Sequence, residues 1–260
     1  MSSSRTLPPW SWPFLSLLLV VQLWAAHVIA FFPHEYAHSF TAWLMGWKSN
    51  PFALNYAHPT LKVLLAQMGI DQNVNELPIF VSGHGRDAAL IAGAGMVVGN
   101  GLITYPLSRL AYAMAMHRNL RGWAMFFYWT TVASVGNFID YVPVRIFSAS
   151  GDMNSIERGF GWSPWTLMVV LGIPTTCALM YFLVRIQPST VLWLFPHSAA
   201  RRAVVVLLTG TALWGFYGAA GLVEGGPLAL RMSKFSLFIL LPVVTVISWF
   251  GAQRAAAKYS

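Results

Sequence analysis

His34 and His38 bracket the pentapeptide HEYAH inside an otherwise apolar stretch. Two residues four apart lie about 40° from each other around an α-helix, so both imidazoles can reach one metal ion. Glu35, beside the first of them, is placed to polarise a metal-bound water. The chain holds seven His and four Glu in 260 residues. On that composition H-E-x-x-H is expected by chance roughly 0.003 times, so the pattern is a signal. Ionisable groups are costly at membrane depth and mark functional sites there. The plainer explanation is a set of buried polar residues paired with Asn100 or Asp140.

Further groups can complete such a site. Asn137, Asp140 and Asp152 surround Pro143 and a Ser/Gly-rich break, in a chain with only eight acidic residues. Irregular backbone at membrane depth is tolerated only where protein or a water-filled cavity encloses it. A carboxylate beside such a break is a natural third ligand for a metal already held by two His. Asn100, in AALIAGAGMVVGNGL, is an amide that must find a partner among small residues that favour close helix packing. His27 lies seven residues before His34, on nearly the same helical face and about 10 Å along the axis. It is a candidate for a supporting or proton-path role, against the simpler reading of one polar residue satisfied by a neighbouring helix. His58, His84, His117 and His197 fall at loops or span ends.

The elements that must position these groups are membrane-spanning. The chain is 57% apolar and only 9% charged, where a soluble domain carries about 25% charged residues. Six stretches lack Asp, Glu, Lys and Arg for about the 20 residues that a crossing needs. They lie near Pro13–Phe32, Ala88–Ser108, Gly122–Ile139, Ser163–Val184, Ala203–Val223 and Phe235–Gln253. The expected fold is therefore an all-α polytopic membrane protein of about six helices. The first helix is expected to run past Pro33 to about Trp47, kinked there, or else to restart with Pro33 in its first turn. The segment from Phe52 to Phe80 is the least regular. Its start, PFALNYA, reads either as a short interfacial β segment or as a loop.

The formal charge of +8 does not make a nucleic-acid binder. The Arg residues sit singly, apart from the pair Arg201–Arg202, between spans, as flanks facing lipid headgroups do, with no basic stripe interleaved with aromatics. Cys177 stands alone, which excludes an intramolecular disulfide and a Cys-rich zinc site. The N-terminal apolar run lacks a convincing small-x-small cleavage site, with Trp24 where a small residue is needed, and reads as a retained span.

A membrane-embedded HExxH, followed two spans later by an Asn–Pro–Asp cluster, resembles the site-2 protease family of intramembrane zinc metalloproteases, in its compact bacterial form. The resemblance implies that residues 1–160 form a three-span catalytic core and that residues 161–260 add three helices as scaffold or gate. It implies zinc held by His34, His38 and a distant Asp, with Glu35 as general base. The family's second motif has the form N-x-x-P-x-x-x-x-D-G, to which Asn137, Pro143 and Asp152 correspond loosely. Asn137 would then donate to the oxyanion or to the substrate backbone. Asp152 is followed by Met153 rather than Gly, and Asp140 is the alternative ligand. Ser150-Gly151-Asp152 keeps a Gly-flanked carboxylate, which favours Asp152. The implied substrate is a transmembrane helix of another protein that unwinds locally, and the implied location is the lipid bilayer of a bacterial inner membrane.

Three other functions fit parts of the chain. A di-iron oxidase or desaturase would use H-x-x-x-H but needs clustered His-His pairs, which are missing from the sequence. A haem-binding redox subunit would need mid-span histidines on a second helix. A catalytically silent membrane subunit or transporter could keep the site for structure or ion binding.

Overall fold

The computed structural model describes residues 10–223 and 225–257; Glu224, the one carboxylate in the last three spans, lies outside them. Nine helices build the fold among the described residues. The first is α1 (Trp12–Leu44), followed by an irregular segment with two short helices, α2 (Leu61–Ala66) and α3 (Glu76–Val81). Then come α4 (Gly85–His117), α5 (Arg121–Ile139) and α6 (Asp152–Phe160). The chain closes with α7 (Pro164–Leu194), α8 (Ala199–Leu222) and α9 (Gly226–Arg254). Five of these, α1, α4, α7, α8 and α9, are long and apolar enough to cross a membrane. The protein is an all-α polytopic membrane protein, with exposed Leu17, Val20, Phe238 and Ile247 facing outward from the bundle.

The sixth expected span, Gly122–Ile139, falls on α5 and is not among the five. The reason is its place in the bundle. From Tyr128 onward every residue of α5 is buried, and the helix packs against α1, α4, α7 and α8. A helix enclosed by others need not offer lipid an apolar face, so α5 carries Thr130, Thr131, Ser134 and Asn137 where a lipid-facing helix would carry Leu or Ile. Two of its aromatic residues, Tyr128 and Trp129, sit in the main core with Leu15, Phe182, Val205 and Leu213.

Helix α1 runs through Pro33 without a break. Proline removes one backbone N–H from the ladder, and the neighbouring surface of α4 accommodates that turn. There α4 widens into π-type turns from Gly95 to Thr104, the kind of local expansion found at functional sites. A Cβ on Gly99 would lie 2.7 Å from the His34 Cα and would also meet the Pro33 carbonyl. Thr104 Oγ1 donates to the Gly99 carbonyl at 2.8 Å, holding one of the widened turns.

The expected β segment reduces to a single antiparallel bridge between Asn55 and Asp71, and no strand forms among the described residues. Ala57 has a φ of 54°, which turns the chain out of extended geometry just past the bridge. Lys48 Nζ gathers this segment by donating to the carbonyls of Ala53 at 2.8 Å, Asn73 at 3.2 Å and Gln72.

Candidate metal centre

His34 and His38 occupy successive turns of α1 and are both buried. Their Nε2 atoms face each other at 3.0 Å. The tautomer of His38 follows from its other nitrogen: Nδ1 lies 2.6 Å from the Ile91 carbonyl oxygen, an acceptor only, so Nδ1 carries the hydrogen. Neutral His38 then turns a bare Nε2 lone pair inward. His34 Nδ1 lies 3.1 Å from the Asn100 amide nitrogen, while the buried Asn100 Oδ1 has no partner. Turning that amide over lets Oδ1 accept from Nδ1–H, satisfies the orphaned oxygen, and frees the His34 Nε2 as well.

Asp152 reaches the same point from a distant part of the chain. After α5 the backbone passes through Asp140–Arg145, where Val142 leaves helical geometry (φ −133°, ψ 109°) while remaining buried. Gly151, at φ +81°, then starts α6 with Asp152 as its first residue; glycine adopts that conformation at no steric cost. Helix α6 is pressed onto α4, with the Gly159 Cα 3.5 Å from where a Gly85 Cβ would stand. This crossing sets Asp152 Oδ2 at 3.5 Å from His38 Nε2 and 3.8 Å from His34 Nε2.

These three residues can hold a metal ion. In tetrahedral zinc with bonds of about 2.0–2.1 Å, ligand atoms lie about 3.3 Å apart. The observed separations of 3.0, 3.5 and 3.8 Å bracket that value. The second observation of fit is a cradle. A Cβ on Gly95 would stand 2.6 Å from the His34 ring and would overlap the His38 Nε2, so α4 approaches the rings as closely as a bare backbone can.

Glu35 is buried next to the cluster, near enough to His38 and Asp152 to interact electrostatically. The Gln72 backbone amide reaches its carboxylate, and its Oε2 has no hydrogen-bond partner. A buried carboxylate oxygen left so is costly unless a water or a substrate donor approaches it.

Three of the remaining sequence candidates go elsewhere. Asp140 pairs with Arg145 at 2.8 Å rather than joining the two His. Asn137 donates its amide to the Ala133 carbonyl at 3.1 Å, along its own helix, instead of toward the ligands. His27 is turned to the opposite neighbour, with Nδ1 2.8 Å from the Tyr217 hydroxyl on α8. Asn100 is brought directly onto His34.

One residue that the sequence reading missed is central. The Tyr141 hydroxyl lies 2.8 Å from His34 Nε2, and its ring stacks on the His34 imidazole at 5.1 Å and 28°. Its signal in sequence was slight: a phenol two residues before Pro143, between the polar Asp140 and an apolar run.

Set against known proteins, the chain matches no family model, no curated protein and no solved structure.

Proposed function

We propose that this protein is an intramembrane zinc endopeptidase of the site-2 protease type, acting on transmembrane segments of other proteins in a bacterial inner membrane. The observation that carries this reading is the convergence of His34, His38 and Asp152 beside the buried, half-partnered carboxylate of Glu35. Two neutral nitrogens and one carboxylate are a donor set that suits zinc.

Bound there, zinc supplies a Lewis acid for a peptide carbonyl and acidifies a bound water. The protein's own groups do the rest. Glu35 takes a proton at its free Oε2 and returns it to the leaving amine. Ile91 and Asn100 fix the two imidazole planes, as hydrogen-bonded outer partners do in metal sites generally. The enclosing helices α1, α4 and α5 limit the access of bulk water. A substrate helix must open locally before its carbonyl can reach the site, because an intact helix keeps its carbonyls engaged.

The test is metal content and cleavage measured on the same detergent-purified preparations, with a quenched single-span peptide carrying a mid-membrane Asn-Pro break as the probe. We expect about one zinc per chain in the wild type, loss of zinc in His34→Ala and Asp152→Ala, and retained zinc without cleavage in Glu35→Gln. A wild type without metal, or cleavage that survives Glu35→Gln, would overturn the proposal.

A further inference from the structure

Four polar atoms, from four side chains, crowd one point in the site. His34 Nε2 has His38 Nε2 at 3.0 Å, the Tyr141 hydroxyl at 2.8 Å and Asp152 Oδ2 at 3.8 Å. A ring nitrogen in the plane of its imidazole offers one lone pair or one hydrogen, so it cannot satisfy all three neighbours. A cation at the centre of the four satisfies them together. The four separations seen among these atoms, 2.8, 3.0, 3.5 and 3.8 Å, straddle the edge length of a tetrahedron around zinc, about 3.3 Å.

We infer that the Tyr141 phenol oxygen is a fourth protein donor to the metal held by His34, His38 and Asp152, occupying in the resting protein the position that water takes once an arriving substrate displaces it. The inference rests on the metal-site reading given above and adds to it a gate.

Two neighbours hold the phenol in place. Its ring stacks on His34, and the Arg145 guanidinium carbon lies over the ring, 5.5 Å from its centroid, while Arg145 is itself paired with Asp140. The non-helical Val142 follows directly, so the backbone that aims Tyr141 is irregular and can move without breaking a continuous helix. As a metal donor the phenol would give up its O–H proton to water, and once displaced it would regain a proton from water and return to a hydrogen bond.

Copper(II) provides the readout, because a phenolate bound to it gives a charge-transfer absorption in the visible that imidazole and carboxylate ligands do not. Full-length protein stripped of metal in detergent is titrated with copper(II), alongside Tyr141→Phe and the ligand-free control His34→Ala. We expect one copper per chain in wild type and in Tyr141→Phe, with the visible band present only in the wild type. Equal copper binding with identical spectra would overturn the role given to Tyr141 and leave the metal site standing. Absence of a His34-dependent copper site in the wild type would overturn the metal reading and this inference together. Thermal unfolding of Tyr141→Phe, which removes one oxygen atom only, guards against a folding failure passing for a lost ligand.

Discussion

His38 Nδ1 lies 2.6 Å from the Ile91 carbonyl oxygen, so α1 and α4 are joined at the one nitrogen of that ring that a metal does not need. The bond turns the imidazole and fixes its tautomer. His34 receives equivalent support from Asn100.

That second support can be removed without touching a ligand. Asn100→Ala is expected to weaken zinc binding about 10–100-fold, measured by competition with a chromogenic chelator. Asn100→Asp keeps an acceptor facing His34 Nδ1 and is expected to bind at least as tightly as the wild type. Equal weakening in both variants would refute the tautomer argued above.

The close approach of α4 gives a steric prediction. Gly95→Ala puts a methyl group 2.6 Å from the His34 ring and onto the His38 Nε2. Overpacking of this kind costs about 1–3 kcal/mol, and here it also pushes the imidazoles apart. Zinc content and the thermal midpoint should both fall. At Gly93 the nearest atom is the Ile156 Cδ1, at 3.7 Å, and Gly93→Ala should leave both unchanged.

The two carboxylates near Pro143 separate cleanly. Asp152→Asn should lose zinc, because Oδ2 faces both imidazoles. Asp140→Asn should keep it while lowering stability, because the carboxylate is spent on Arg145. Zinc analysis beside thermal unfolding of both variants checks this, and loss of zinc in Asp140→Asn with an unchanged midpoint would contradict it.

His27 lies outside the centre. It lines a cavity of about 270 Å³ with Trp24, Trp129, Phe216 and Tyr217. His27→Phe should retain full zinc content and cost about 1 kcal/mol for the lost Tyr217 hydrogen bond. A drop in zinc would tie this cavity to the metal site.

Much of the architecture was legible because lipid imposes a simple rule on composition. Where a helix meets lipid its apolar residues announce it, and α1, α4, α7, α8 and α9 were readable in this way. Helix α5 defeats the rule from inside: enclosed on its sides, it answers to neighbouring helices and carries hydroxyls and an amide. The two imidazoles were legible because the i,i+4 spacing is local. Asp152 comes from far along the chain, and only a Gly-flanked carboxylate hinted at it. Asn137 drew attention as a polar group near a break, yet a buried amide can be satisfied by a carbonyl one turn back in its own helix. Tyr141 was hidden by its chemistry, since a phenol in an aromatic-rich span looks like packing until the fold places its oxygen on His34. The β segment of the first loop failed for a local reason, a left-handed Ala57.

The contact between Gly85 and Gly159 has a consequence for how the protein is made. Two imidazoles and a carboxyl leave the ribosome on α1 and enter the membrane as a half-built cage. No second element is yet there to receive them, and such groups are expensive to expose to lipid. Only when the far end of α6 seats on the near end of α4, glycine against glycine, does Asp152 arrive to complete the set. Seating of the bundle and completion of the three-residue set thus become a single event. A nascent chain ending before Gly151 would keep both histidines and lack the third ligand.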